Sequence, residues 1–201
     1  MGPGGRLSRL YAAAAVVLAL SLGSAAPARP ASTITIDNFG QVGPRYYRGA
    51  QPRGGDYSDL AALGVKTVID LTRDGDPEEP SLARAAGMKF YRIPMTTHET
   101  PSPETVARFL KLVDDPANQP VYVHCQGGRH RTGVMTAVYR MSDDHWTADR
   151  AFGEMKKYNY GPDFLHPEFK QFVYSYGPRA QVTAAAAVAA SGTAAASGTT
   201  R

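Results

Sequence analysis

The chemically most informative stretch of this 201-residue chain is "HCQGGRHRTG", residues 124–133. It contains the only cysteine of the sequence, Cys125, and an arginine six positions later, Arg131. A cysteine thiolate is a strong nucleophile, and an arginine guanidinium can bind two oxygens of a phosphate group at once. The two side chains, separated by a short loop, are therefore suited to nucleophilic attack on a phosphate ester.

The residues between this pair are suited to surround an anion. Glycines permit positive φ angles and close approach of the backbone, so successive N–H groups can point inward. A helix that begins after the loop would add the positive potential of its N-terminus. The same positive environment lowers the pKa of a thiol. The predicted phosphate-binding residues are Gln126, Gly127, Gly128, Arg129, His130, Arg131 and Thr132.

These residue types predict a reaction in two steps. Cys125 attacks phosphorus and forms a cysteinyl-phosphate intermediate, which water then hydrolyses. Thr132 is expected to hydrogen-bond the sulfur and to help it leave. His124, directly before the nucleophile, is expected to brace the loop through hydrogen bonds rather than to react. No metal or other cofactor is needed, because the backbone N–H groups and Arg131 supply the positive charge.

The loop is predicted to connect a strand to a helix within an α/β fold. Runs of β-branched and aromatic residues predict strands at residues 45–49, 65–71, 89–93 and 120–124. Helices are predicted at residues 56–63, 81–87, 102–113, 132–141, 148–158 and 166–176. This alternation indicates a central, mostly parallel sheet flanked by helices. Ligands bind such sheets at the carboxyl ends of the strands, where the loops 72–80, 94–101 and 124–131 should converge.

The motif "HCQGGRHRTG" resembles the signature loop of the cysteine-dependent protein tyrosine phosphatase superfamily. More narrowly, the chain is similar to the atypical dual-specificity phosphatases of plants and fungi and to their small exported bacterial relatives. Three further stretches carry the resemblance, "NFGQVGPRYYRGAQP" (38–52), "LGVKTVIDL" (63–71) and "DPEEP" (76–80). The resemblance implies a protein tyrosine phosphatase-like fold, Cys125 as nucleophile, Arg131 as phosphate ligand and residues 126–130 as the cradle around the phosphate.

The sequence departs from this family at the proton donor. The family usually carries an aspartate on an upstream loop, where it protonates the leaving oxygen. The corresponding loop here, "PMTTHETPSPE", contains no aspartate. Glu99 is the predicted general acid, and His98, Asp74 and Asp76 are the alternatives. The other acids near these loops, Asp56, Glu78 and Glu79, are expected to be solvated.

Three classes of function are compatible with these features to different degrees. A phosphomonoester hydrolase acting on phosphotyrosine or on both classes of phosphorylated protein is the leading interpretation. The resemblance also raises inositol phosphates, inositol pyrophosphates and phosphoinositides as alternative substrates. The missing aspartate leaves a non-catalytic phosphate-binding pseudophosphatase open. A sulfur transferase of the rhodanese type is disfavoured, because its loop resembles a shorter cradle without the His-Cys-x5-Arg-Thr pattern.

The two ends of the chain differ from the predicted domain, which spans residues 33–179. In residues 1–28, Arg6 and Arg9 precede an apolar run and the small-residue sequence "APA", as in a secretory signal peptide. We therefore expect a periplasmic or secreted protein, with an uncleaved membrane anchor as the alternative. Residues 180–201 are rich in Ala, Ser, Gly and Thr, which predicts a disordered tail.

Charge and composition limit the expected partners. The net charge of +4 falls to about +2 without Arg6 and Arg9, so the basic balance does not indicate nucleic-acid binding. A single cysteine excludes an intramolecular disulfide. The histidines singled out, His98, His130, His145 and His166, have no metal-ligand spacing, so no metal site is predicted. We expect a monomer whose partner is a phosphorylated protein or an inositol phosphate substrate.

Overall fold

A computed structural model describes residue 1 and residues 34–177 of the chain. The predicted signal peptide (1–28) and the predicted disordered tail (180–201) lie outside the described residues and stay predictions. Within residues 34–177, none of the helices combines the length and the apolar character that crossing a membrane requires.

Five strands form one sheet. In chain order they are β1 (Gly40–Gly43), β2 (Tyr46–Ala50), β3 (Thr67–Thr72), β4 (Lys89–Met95) and β5 (Val121–Cys125), and their spatial order is β1-β2-β5-β3-β4. The pairs β2–β5, β5–β3 and β3–β4 are parallel, and only the edge pair β1–β2 is antiparallel. The predicted, mostly parallel sheet is therefore confirmed. Strand β1 was not predicted, because "GQVG" contains two glycines and no β-branched run.

Helices connect these strands and cover both faces of the sheet. They are α1 (Asp56–Ala62), α2 (Glu79–Ala85), α3 (Pro103–Asp114), α4 (His130–Ser142), α5 (Ala148–Lys157) and α6 (residues 167–177). Helix α3 begins as predicted, since the Ser102 side chain accepts a hydrogen bond from the Thr105 N–H and Pro103 occupies the first turn. Helix α4 begins two residues before the predicted start, so Arg131 lies in its first turn.

The alternation of side chains along β5 assigns its residues to two different hydrophobic cores. Val121, Val123 and Cys125 pack into the larger core, together with apolar residues of α3, α4, α5 and α6. Tyr122 packs into the smaller core, which α1 and α2 cover on the opposite face. Because side chains alternate between faces in a strand, the thiol of Cys125 and the imidazole of His124 lie on opposite sides of the sheet.

The larger core supplies the first testable prediction. Phe109 of α3 is fully buried in that core, whereas its neighbour Arg108 is exposed. Phe109→Ala should lower the free energy of unfolding by about 3–5 kcal/mol, because it leaves a cavity in a packed interior. The matched control Arg108→Ala should change it by less than about 0.5 kcal/mol. Denaturant unfolding measures both, and equal effects of the two variants would contradict this packing.

Candidate active site

The predicted site residues converge where β5 passes into α4. Cys125 is the last residue of β5 and only 3% of its surface is exposed. Residues 126–129 form the connecting loop, and Arg131 and Thr132 lie in the first turn of α4, both buried. The N-terminus of a 13-residue helix therefore begins beside the thiol, where its positive potential favours negative charge.

The carbonyl oxygens of loop residues 126–128 are all held from the side of β2. In order, they accept hydrogen bonds from the backbone N–H of Gln51 at 3.3 Å, the side-chain amide of Asn38 at 2.7 Å and the guanidinium of Arg48 at 2.7 Å. In a trans peptide the C=O and the following N–H point in opposite directions. Fixing these carbonyls toward β2 therefore turns the N–H groups of residues 127–129 the other way, as an anion-binding nest requires.

The two side chains that hold the loop are themselves held by the turn after α5. Arg48 is fully buried, and its guanidinium lies 3.9 Å from the centre of the Tyr158 ring, in a cation–π contact. Asn159 donates a hydrogen bond from Nδ2 to Asn38 Oδ1 at 2.6 Å. The sequence predicted a helix end and turn at Tyr158 and Asn159 but no contact of these four residues with the loop, although Asn38 and Arg48 both lie within the stretch 38–52 that carries the family resemblance.

Gly128 is the residue that lets the loop pack this closely against β2. Its φ angle is +64°, in the left-handed region. A Cβ atom at this position would lie 2.4 Å from the carbonyl carbon of Gly49. Only glycine fits both the dihedral angle and the close backbone approach. At Gly127, by contrast, the nearest atoms to such a Cβ belong to the Arg129 side chain, at 3.7 Å.

The Arg131 guanidinium makes one hydrogen bond to the protein backbone and has a further N–H donor that no described residue binds. It is 7% exposed, and its Nη1 donates to the carbonyl oxygen of Met95, the last residue of β4, at 3.2 Å. Its Nε is buried and has no hydrogen-bond partner among the described residues. A buried guanidinium N–H without a protein partner is expected to bind an anion, since leaving it unpaired is costly.

The environment of Cys125 favours its thiolate. Burial alone would raise the pKa of the thiol, but contacts with Thr132 and the positive charges of Arg131 and His124 outweigh burial and lower this pKa. The Thr132 hydroxyl is buried and has no other hydrogen-bond partner in the described part of the chain. It is therefore free to hydrogen-bond the sulfur, which is the role expected from the sequence.

The loop after β4 contains Glu99, the predicted general acid, whose side chain contacts Arg73. The Oε2 atom of Glu99 lies 3.3 Å from Arg73 Nη2 and accepts a hydrogen bond from the Thr96 hydroxyl at 3.0 Å. The Glu99 side chain is 70% exposed, and its other carboxylate oxygen has no hydrogen-bond partner among the described residues. Asp74 is exposed, and Asp76 accepts a hydrogen bond from the N–H of Glu78 at the start of α2.

Three histidines connect this loop to the cradle. The ring of His98 lies 6.0 Å from that of His166, and the ring of His166 lies 3.9 Å from that of His130 in the cradle. Burial, followed by the charge of His166, lowers the pKa of His130, whose Nε2 also contacts the carbonyl oxygen of Tyr160 at 3.0 Å. The ring of His98 is therefore linked through His166 to the cradle, whereas Glu99 contacts Arg73 and Thr96.

Folding brings together two clusters of side chains of the types that bind metals, although the spacing of the residues along the chain predicted no metal site. Donor atoms of His98, His166 and Glu168 lie within 4.8 Å of one another, and so do those of Asp70, Glu79 and His124. The first set could hold a cation at the edge of the site, although His166 Nδ1 already lies 3.0 Å from the carbonyl oxygen of Thr97. The second set is buried, and both of its carboxylates already have a cation beside them, because Arg92 contacts Asp70 and Glu79.

Glu79 corrects an expectation of the sequence analysis. It was expected to be a solvated acid, but it is fully buried in the first turn of α2. Its Oε1 lies 2.7 Å from His124 Nε2. His124, expected to brace the loop, instead contacts Glu79 and Asp70 on the other face of the sheet. No local pattern marks Glu79 as buried, since "DPEEP" is acidic and rich in proline.

Comparison with known proteins agrees with this geometry. The family model described as "DSP-PTPase phosphatase fused to NAD+ Kinase" matches residues 36–169. The chain belongs to this family. The match covers β2, β5, the cradle and α4, the elements that form the site, and it confirms the resemblance drawn from the motif.

Individual relatives are similar over the same region. The inositol diphosphatase SIW14 of Saccharomyces cerevisiae is 29% identical over 128 residues, which are 61% of this chain and 45% of the yeast protein. The inositol diphosphatase DSP3 of Arabidopsis thaliana is 32% identical over 60% of this chain and 61% of its own length. The dual specificity protein phosphatase TpbA of Pseudomonas aeruginosa is 29% identical over 70% and 64%. The chain thus spans less than two thirds of these three relatives.

Solved structures of two of these relatives share the fold. The catalytic core of yeast SIW14 in complex with citrate superposes with a TM-score of 0.60 at 28% identity, covering 69% of this chain and 84% of that one. The crystal structure of Pseudomonas aeruginosa TpbA gives a TM-score of 0.60 at 25% identity, with the same coverage. The protein tyrosine phosphatase-like fold expected from the resemblance is confirmed.

The two cradle glycines provide a matched test of the loop geometry. Gly128→Ala should lower the melting temperature by several degrees, because it forces a Cβ into the left-handed region and against the backbone of β2. Gly127→Ala should leave the melting temperature nearly unchanged, because its Cβ meets no backbone. Calorimetry on both variants checks this, and a Gly128→Ala protein as stable as the wild type would disprove the contact with Gly49.

Proposed function

We propose that the protein is a phosphomonoester hydrolase of the protein tyrosine or dual-specificity class, acting through a cysteinyl-phosphate intermediate. The single observation that carries the proposal is the convergence on one thiol of three features. These are a lowered thiol pKa, a loop in which the carbonyls of residues 126–128 point toward β2, and a buried arginine whose Nε has no hydrogen-bond partner among the described residues. Family membership and relatives that bear phosphatase names support the same chemistry.

In the proposed first step, the Cys125 thiolate attacks phosphorus in line with the ester bond. The S–P bond forms as the P–O bond to the leaving group breaks, and a general acid donates a proton to the departing oxygen. The inward N–H groups and Arg131 stabilise the charge on the non-bridging oxygens throughout the transfer. In the second step, water attacks phosphorus and the S–P bond breaks, while the general acid, deprotonated in the first step, takes up the water proton. Thr132 stabilises the departing thiolate.

A second candidate within this chemistry is an inositol pyrophosphate phosphatase. It is favoured by the names of two of the relatives above, both inositol diphosphatases. The exposed cations Arg73 and Arg129 would contact additional phosphate groups around the one bound in the cradle. A pseudophosphatase would need the cradle but no turnover, and the lowered pKa of Cys125 argues against this role.

A substrate panel tests the proposal. Phosphate release is measured from an aryl phosphate, a phosphotyrosyl peptide, a phosphoseryl peptide and an inositol pyrophosphate, with the wild type and with Cys125→Ser. We expect turnover of at least the aryl phosphate and one of the other substrates, and its loss in Cys125→Ser, because a serine hydroxyl stays protonated where the thiol ionises. The preferred substrate identifies the class.

Two results would overturn the proposal in different ways. A wild type that binds phosphate but hydrolyses none of the four substrates is a pseudophosphatase. Turnover that persists in Cys125→Ser assigns the reaction to another nucleophile. Binding of vanadate or inorganic phosphate, followed by calorimetry, provides the affinity that separates the first result from a misfolded preparation.

We propose Glu99 as the general acid, and His98 on the same loop is the alternative. Glu99→Gln should reduce hydrolysis of a phosphoseryl peptide by about 100-fold or more, and hydrolysis of an aryl phosphate with a good leaving group much less, because only the poor leaving group needs the proton. Glu104→Gln, an exposed acid at the start of α3, is the control. If His98→Asn shows this selective loss and Glu99→Gln does not, the assignment to Glu99 is wrong.

A further inference from the structure

The buried ion pair beneath the nucleophile is not used by the reaction steps above. His124 and Glu79 are both fully buried, and Nε2 of the imidazole lies 2.7 Å from Oε1 of the carboxylate. They lie on the α1 and α2 face of the sheet, whereas Cys125 opens on the α4 face. His124 directly precedes Cys125 in β5. The pair is therefore linked to the nucleophile through the backbone of the strand and not through the phosphate site.

The distribution of charge in this pocket makes His124 the principal counter-ion of Glu79. Arg92 donates from Nε to Asp70 Oδ2 at 2.6 Å, and the N–H and hydroxyl of Thr72 also donate to Asp70, at 2.8 and 2.7 Å. The closest approach of Arg92 to Glu79 is longer, at 3.7 Å. Asp70 thus has its own cation and donors, and Glu79 lies closest to His124. A buried carboxylate without a nearby cation would be strongly destabilising.

The other titratable groups that face the pair agree with this assignment. Burial alone would lower the pKa of His124, but its contact with Glu79 and the charge of Asp70 outweigh burial and raise this pKa. Tyr57 of α1 also contacts Glu79, and burial together with the charge of Glu79 raises the pKa of its phenol, which stays neutral. The pocket then holds two carboxylates and two cations, His124 and Arg92.

We propose that Glu79 is a positioning residue for the nucleophile: it holds His124 as an imidazolium directly beside Cys125, on the face of the sheet opposite the phosphate. The Cys125 thiolate is then stabilised by Arg131 and Thr132 from one face and by His124 from the other. This role rests on the proposed function of Cys125 as nucleophile. It also gives a chemical reason for an acidic residue in the "DPEEP" stretch to lie in the protein interior.

The alternative is that the pair only stabilises the fold. The two roles differ in what they do to the reactivity of Cys125, because a structural ion pair has no effect on the ionisation of the thiol once the protein is folded. The chain offers a simple measurement of that ionisation. Cys125 is its only cysteine, so alkylation by the neutral reagent iodoacetamide reports on this one thiol, and the rate follows the thiolate fraction.

The test measures the alkylation rate against pH for the wild type, Glu79→Gln and the control Glu78→Gln. Glu78 is the neighbouring residue and is exposed. Glu79→Gln removes the charge that keeps His124 protonated, so the midpoint of the alkylation profile should move up by about one pH unit. Glu78→Gln should leave the midpoint at the wild-type value. Circular dichroism and melting temperature establish that each variant is folded.

A double-variant comparison determines whether Glu79 acts through His124. His124→Gln alone should raise the midpoint at least as much as Glu79→Gln, and adding it to Glu79→Gln should cause no further shift, because the imidazolium is already lost. If Glu79→Gln does not fold, the double variant, which removes both partners together, and His124→Gln carry the test.

Wild-type midpoints in folded Glu79→Gln or His124→Gln would overturn the proposal, and so would shifts that add in the double variant. Failure of the proposed function has a different signature, because it is an absence of phosphate release whatever the alkylation profile. A shifted profile in an inactive protein contradicts only the proposed function. An unshifted profile in an active enzyme contradicts only the role of Glu79.

Discussion

The direction of the carbonyl groups in the loop after β5 is the constraint on which the rest of the site depends. Peptide groups are rigid, so an anion-binding loop can present its N–H groups inward only if its carbonyls are satisfied elsewhere. Here the carbonyls of residues 126–128 bind a backbone N–H and two side chains from the β1–β2 region. The antiparallel edge pair β1–β2, which contributes nothing to the reaction itself, is therefore essential to the geometry of the cradle.

The parallel sheet also places the two faces of β5 in different environments. Strand β5 is central, so helices α3 to α6 pack on one of its faces and α1 and α2 on the other. Successive residues of the strand then project into two separate environments, one that contains the cradle and one that contains a buried ion pair. Charges from both faces act on a single thiol, and a buried site strengthens such interactions because the effective dielectric constant is low.

The sequence predicted the parts of the site that are local in the chain. The "HCQGGRHRTG" motif contains the proposed nucleophile, the loop and the start of the helix within ten residues, and Ser102–Pro103 identified the start of α3. It did not reveal the partners of the loop, because Asn38 and Arg48 are separated from it by 89 and 80 residues. Glu79 was missed because burial of an acid depends on a partner from a distant strand. His98 and His166 likewise converge only after folding.

The proposed mechanism requires that the phosphoryl group is transferred to Cys125 before it reaches water. Rapid acid quenching during turnover of an aryl phosphate, followed by peptide mass spectrometry, tests this most directly, since the chain has no other cysteine. We predict a phosphoryl group on the peptide that contains Cys125, accumulating before phosphate is released. Turnover with no phosphorylated intermediate, or with the phosphoryl group on another residue, would contradict this mechanism.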